Sequence, residues 1–296
     1  LGIERALGRS PDIAVNHWDH AIACHQANHP TTTHYQTSVH EVDPATATGG
    51  QPVGLLHLSP DCTHHSRAKG AVPVRQDLRS LPWVALRWAA AVAPRVITLE
   101  NVPELLHWGP LVRRWRRCNG QREQVSVPDP RRRGKTFHEF VDQLAALGYA
   151  VAWRVLKADE YGAATRRERL FLVARRDGQP IVWPTPTHGA GPAQRRPRTA
   201  AECIDWSLPC PSIFLTPEEV RRQGLRCRRP LADKTLRRIA RGVLRYVLQD
   251  GQPFIAPLRG TSRSHTSVQA VDQPLGTITG GGTHHCLVAP RLVLQG

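Results

Sequence analysis

Methionine is missing from this sequence, aromatic residues make up only 6% of it, and acids are scarce, with 24 Asp and Glu against 40 Lys and Arg. The shortage of acids leaves a formal charge of +16 and a pI near 10.7, carried mostly by arginine, which suits bidentate contacts to phosphate and points to a polyanion partner. The seven cysteines are odd in number and contain no Cys-x-x-Cys pair, which argues against a disulfide framework and against the usual structural zinc spacing. The thiols are expected to be reduced. No run of about 18 uncharged apolar residues occurs, and no charged-then-apolar leader, so neither a membrane span nor a secretory signal is expected. The chain therefore reads as soluble and intracellular. It begins at Leu1 in helix-like sequence and stops at Gly296 just after Leu287-Val288-Ala289, which reads as a fragment.

Against these absences, 296 residues with 40% hydrophobic content allow one large domain or two smaller ones. Helical spacing over residues 1–9 is followed by a short apolar strand, Asp12-Ile13-Ala14-Val15, and a helix from Asp19 to Ala27 that Pro30 closes. Val53 to Leu58 reads as the next strand, ended by Ser59-Pro60, and the basic stretch 63–80 reads as a loop. Trp83 to Val92 has helical periodicity, Arg95 to Leu99 is β-branched and apolar, and Phe137, Phe140, Val141, Leu144 and Leu147 share one helical face. Tyr149 to Leu156 and Leu170 to Ala174 supply two more strands. Strands alternating with helices predict an α/β fold with a mostly parallel sheet and ligands at the strands' carboxyl ends.

After Trp183 the sequence becomes rich in proline and arginine, with one helix near Lys234 to Leu248, and this places a domain boundary between 183 and 184. Phe254-Ile255-Ala256-Pro257 and Leu287-Val288-Ala289-Pro290 echo each other as though a second copy had begun. Arg195, Arg196, Arg198, Arg221, Arg222, Arg228 and Arg229 offer a phosphate-contacting face.

Three groups could carry chemistry. Cys62 lies in the turn after an apolar strand, where a helix N-terminus or the cations Arg67 and Lys69 would lower its pKa toward the thiolate. Glu100 closes the strand Val96-Ile97-Thr98-Leu99, where partial desolvation would let its carboxyl hold a proton for a ring nitrogen, with Asn101 and Pro103 fixing the turn behind it. Arg167 and Arg169 precede the strand Leu170-Phe171-Leu172-Val173 at alternate positions, so both guanidiniums are expected on one face. The histidines His25, His29 and His34 are read as solvated or hydrogen-bonded rather than as metal ligands. A cysteine hydrolase using His64 or His65 is a poor reading, because side chains two and three residues along a loop rarely orient a nucleophile.

In this order and spacing, Ser59-Pro60-Asp61-Cys62, Glu100-Asn101-Val102 and Thr165-Arg166-Arg167-Glu168-Arg169 resemble the DNA cytosine-5 methyltransferase family over about residues 1–183. Ser66 to Gly70, Arg175 to Gly178 and Thr277 to Gly282 are similar to its phage and bacterial branch. The resemblance implies a Rossmann-like, S-adenosylmethionine-dependent methyltransferase domain over 1–183 and an irregular target-recognition region over 184–296. It implies Cys62 as the nucleophile toward C6 of a flipped cytosine, Glu100 at N3 and the exocyclic amine, Arg169 at O2, Arg167 as a support for the Cys62 loop, and Asn101 as a brace. His17 stands where the family's ribose-gripping acid belongs, Trp18 beside it could stack on adenine, and Pro60 is carried over with the cofactor pocket. The family's central first strand and its Phe-x-Gly-x-Gly loop would precede Leu1, so the strand at Ile13 is expected to lack that neighbour. The implied partner is double-stranded DNA, with no obligate protein partner, in a cytoplasmic, nucleoid-associated modification role. RNA cytosine methylation and a non-catalytic DNA-binding remnant are the rival readings.

Overall fold

A computed structural model describes residues 2–62, 81–118, 121–258, 268–278 and 285–290. The stretch 63–80, with Ser66 to Gly70, Arg67 and Lys69, lies outside the described residues, as does most of Thr277 to Gly282. The chain divides into two compact units, one formed by residues 1–155 and 169–183 and the other by 156–168 and 184–296.

In the first unit, β1 (Ile13–Val15) pairs in parallel with β2 (Thr33–Tyr35), while β3 (Leu55–Leu58) pairs in parallel with β4 (Val96–Asn101). β1 and β2 form a sheet of their own. The larger sheet has the order β3-β4-β8-β7, with β7 spanning Ala150–Lys157 and β8 Glu168–Arg175. β4 and β8 run antiparallel, so this α/β sheet is mixed rather than mostly parallel. Helices α1 (Gly2–Leu7), α2 (Asp19–Asn28), α3 (Pro44–Thr48), α4 (Val84–Val92) and α5 (Lys135–Ala146) complete the regular elements that matter here.

Strand periodicity decides what this sheet does with each face. In β4 and β8 the odd and even positions separate cleanly, since Ile97, Leu99 and Asn101 pair with Ala174, Leu172 and Leu170, and all six are buried. They pack with Ala85 and Ala89 of α4 and with Phe137, Phe140 and Leu144 of α5, whose period of three and four residues matches the predicted stripe. The alternate positions Thr98 and Glu100 pair with Val173 and Phe171 and are only partly buried. One face of the sheet is thus core and the other is open to chemistry.

Between β4 and α5 stands an element that the sequence reading did not anticipate, an antiparallel hairpin of β5 (Leu111–Cys118) and β6 (Gln121–Pro128). At its base the backbone passes so close that a Cβ on Gly109 would overlap the carbonyl oxygen of Arg132, and the amide of Asp129 donates to the carbonyl of Pro110 at 2.9 Å.

The second unit has a three-stranded sheet with β9 (Phe254–Pro257) between β10 (Gln269–Ala270) and β11 (His285–Val288). The two similar runs at Phe254 and Leu287 are thus strands of one sheet. Phe254 faces Val288 and Ile255 faces Leu287 as antiparallel partners in one sheet. Residues 156–168 belong here because the Leu275 carbonyl accepts from Arg166 at 2.8 Å, the Leu275 amide donates to Ala164 at 2.9 Å, and the Thr187 and His188 amides both donate to Glu160. Between β7 and β8 stands a single 3-10 turn, Ala158–Tyr161, which Gly162 closes at a φ of 88°.

Candidate active site

The carboxyl ends of β3 and β4 bring five of the expected residues together. Glu100 sits on the outward face of β4, where its Oε1 is 2.8 Å from Nε of Arg169, and Ser59 Oγ donates to Oε2 at 2.7 Å. Both side chains of the ion pair are largely buried, 22% exposed for Glu100 and 16% for Arg169. Arg169 reaches the carboxylate because antiparallel pairing sets Glu100 opposite Phe171, and Arg169 lies two positions along on the same face. The carboxylate is fixed from both sides.

Asn101, next along β4, points to the other face and is 2% exposed. Its Nδ2 donates to the Pro60 carbonyl at 3.0 Å, and its Oδ1 accepts from the Val102 amide at 2.9 Å, which ties the turn carrying Cys62 to the end of β4. A buried amide with both ends satisfied is a rigid support. Pro60 takes part through its carbonyl, and its ring limits the freedom of the same turn.

Cys62 is half-buried, and its thiol pKa is raised, chiefly by burial and next by the adjacent Asp61 carboxylate. Arg169 opposes that shift, and Glu100 adds to it. The expectation of a lowered pKa is corrected, since local cations were weighed and desolvation was not. The charges of Glu100 and Arg169 both act on this sulfur, so thiol, carboxylate and guanidinium occupy one neighbourhood at the strand ends.

The remaining expected residues stand elsewhere. Arg167 precedes β8 and falls in the second unit, where its carbonyl accepts from the Ala158 amide at 2.9 Å. His17 and Trp18 follow β1 and are exposed, Trp18 to 58%, and the Trp18 amide donates to the side chain of Asn16 at 2.9 Å. Sequence reasoning missed Ser59 as a partner of Glu100, although its place in Ser59-Pro60-Asp61-Cys62 put it on the same turn.

The histidines of the first unit form a hydrogen-bonded group. His25 Nδ1 lies 2.8 Å from His34 Nε2, and buried His29 lies 3.1 Å from Ser10 Oγ. Burial, with His29 and His34 nearby, lowers the pKa of His25. Among the described residues no cluster of three or more His, Cys, Asp or Glu is arranged to hold a metal ion, and no helix is long and apolar enough to cross a membrane.

The fold and this strand-end constellation define an α/β protein with a thiol, a carboxylate and a guanidinium set around one small space. Residues 127–205 match the family of C-5 cytosine-specific DNA methylases. The type II methyltransferase M.Sau3AI of Staphylococcus aureus is 26% identical over 182 residues, covering 58% of this chain and 39% of that protein. M.AquIA of Picosynechococcus, also a type II methyltransferase, is 26% identical over 137 residues, 46% of this chain and 49% of its own length. The backbone is similar, at a TM-score of 0.48 and 18% identity, to a DNA modification methyltransferase encoded within an E. coli prophage, covering 68% of this chain and 49% of that one. The chain spans less than half the length of these curated relatives.

Proposed function

We propose that this chain comes from an enzyme that methylates C5 of cytosine in double-stranded DNA, in the modification role that its type II relatives' names describe. The observation that carries the reading is the Glu100 to Arg169 ion pair at 2.8 Å, set beside a half-buried Cys62 whose turn Asn101 anchors. Cytosine C5 is a poor nucleophile until something adds across the C5–C6 bond. The Cys62 sulfur would form a bond to C6, moving the ring's electron pair to C5, while the Glu100 carboxyl holds N3 and the exocyclic amine and Arg169 holds O2. C5 then takes a methyl group, its proton leaves to a base, and the sulfur is expelled as the ring reforms. Because the target carbon is shielded within a duplex, the base must be turned out of the stack to reach Cys62.

S-adenosylmethionine is the methyl source that the family implies. By that resemblance His17, Trp18 and Pro60 would hold it, the exposed Trp18 ring offering a stacking face and His17 a hydrogen bond. Bound there, it supplies an electrophilic methyl group.

Incubation with S-adenosylmethionine and a duplex carrying 5-fluorocytosine tests the reading, since fluorine at C5 blocks the final elimination. A covalent adduct with the parent chain and none with Cys62→Ser is expected. An adduct on an equivalent RNA and not on DNA would transfer the reading to RNA, and absence of any adduct from a folded parent would leave a DNA-binding remnant without catalysis.

A further inference from the structure

We propose that the β5–β6 hairpin is a second DNA-contacting element, separate from the 184–296 region and built to lie along duplex phosphates; this rests on the reading of duplex DNA as substrate. The segment from Leu111 to Lys135 holds Arg113, Arg114, Arg116, Arg117, Arg122, Arg131, Arg132, Arg133 and Lys135 against only Glu123 and Asp129. Nine cations minus two acids leave +7, almost half of the chain's net charge of +16.

Register then sorts these residues by face. Arg113 pairs with Ser126, Trp115 with Gln124 and Arg117 with Arg122, and these positions share one side of the ribbon. The other side carries Val112 opposite Val127, Arg114 opposite Val125 and Arg116 opposite Glu123, and Val125 is 7% exposed. Val125 is thus the one buried position of the ribbon among those described, and it marks the covered side. The ribbon's only acid lies on that side. The opposite side presents arginine, glutamine, serine and one indole.

Two features of that side match a nucleic acid better than a protein partner. Trp115 is 62% exposed on a strand flanked by arginines, a large apolar ring with no place in the core. Arg113 and Arg122 are exposed, and among the described residues neither has an ion-pair partner. The other acid, Asp129, is already committed at the hairpin's base, where Arg132 Nε donates to it at 2.7 Å. A two-stranded antiparallel ribbon has the width to enter a major groove, its guanidiniums reaching phosphates on either side and an exposed ring covering sugar or base edges.

Fluorescence anisotropy of the full chain with a labelled duplex, over a range of salt concentrations, tests the proposal. Arg113→Ala/Arg122→Ala is expected to weaken binding about tenfold at low salt and to make the log–log salt slope shallower by about two, at about 0.9 per phosphate contact. Trp115→Ala is expected to weaken binding severalfold at an unchanged slope, and Arg113→Lys/Arg122→Lys to restore the parent slope. All substitutions fall on exposed positions, so circular dichroism and the thermal transition should be those of the parent. If the parent binds duplex and both alanine variants match it, the hairpin proposal is overturned while the DNA reading stands. A folded parent that fails to bind duplex even at low salt overturns both, and hairpin-dependent binding confined to RNA overturns DNA as the occupant.

Discussion

The central strands of the two units treat their faces differently. β4 buries Ile97, Leu99 and Asn101 on one side and leaves Thr98 and Glu100 partly open on the other. In β9, Phe254, Ile255 and Ala256 are all buried in succession. Phe254 and Ala256 pack with Ile239 and Val268, while Ile255 packs with Ala200 and Val271. A strand covered on both faces can only hold a unit together, whereas a strand covered on one face can hold it together and still present a carboxylate. The candidate chemistry therefore sits on β4, and β9 supplies the frame of its own unit.

That contrast is broken most severely at Phe254, which is fully buried and stacks on Tyr246 with ring centroids 5.9 Å apart. Phe254→Ala is expected to cost about 3–5 kcal/mol. Leu172→Ala, on the buried side of β8, is expected to cost about 2–5 kcal/mol, because its neighbours Leu99 and Ile97 leave little room for collapse. Hydrogen exchange resolved by peptide is the suitable measurement, since a chain of two units need not unfold in one transition. Faster exchange should centre on β9 and β11 for the first variant and on β4 and β8 for the second. An exchange change of equal size on Phe171→Ala, whose side chain faces the partly open side, would show that the faces are not energetically distinct.

Gly242 gives a smaller effect. It ends the helix α7, Asp233–Gly242, after α6 at Pro217–Arg222, and a Cβ there would overlap the ring of Phe254. Gly242→Ala is expected to cost about 1–3 kcal/mol through overpacking, despite the usual gain in helix propensity from that exchange. A neutral or stabilising result, read from the same peptides, would mean that the ring has somewhere to go.

How much of this could be read in the sequence follows the same division. The β-branched run Val96-Ile97-Thr98-Leu99 announced β4, and two-residue alternation then fixed which side Glu100 occupies. Phe137, Phe140 and Leu144 announced the face of α5. The hairpin was hidden because arginines interrupt its alternation and its partnership depends on a turn rather than on an apolar pattern. β9 and β11 were legible as apolar runs, but their antiparallel pairing in one sheet was not. Residues 156–168 join the second unit through backbone hydrogen bonds with Leu275, Thr187 and His188, which no side-chain pattern encodes. At the site, the motif spacing named the thiol, the carboxylate and the guanidinium that the strand ends bring together. It misjudged the thiol's acidity, because burial is a property of the folded neighbourhood.

The open face of β4 and β8 offers the most direct perturbation of chemistry. Arg169 is the nearby cation that lowers the Cys62 pKa, while burial, Asp61 and Glu100 raise it. A raised pKa means that the reactive thiolate is the minor form at neutral pH and grows as pH rises through and beyond the range of an ordinary thiol. Alkylation of Cys62 by iodoacetamide, followed by mass spectrometry of its peptide with exposed Cys24 as the internal control, should therefore climb only beyond the pH range of an ordinary thiol. In Arg169→Ala the opposing cation is gone, the thiolate is further disfavoured, and the Cys62 rate at a fixed, mildly alkaline pH should fall severalfold while that of Cys24 is unchanged. Arg169→Lys should recover much of the difference, because the charge is kept even where the guanidinium's geometry is lost. A rate that rises on removing Arg169 would mean that the ion pair with Glu100 shields the sulfur from reagent more than the guanidinium's charge favours the thiolate, and Arg169 would then act on Cys62 through packing.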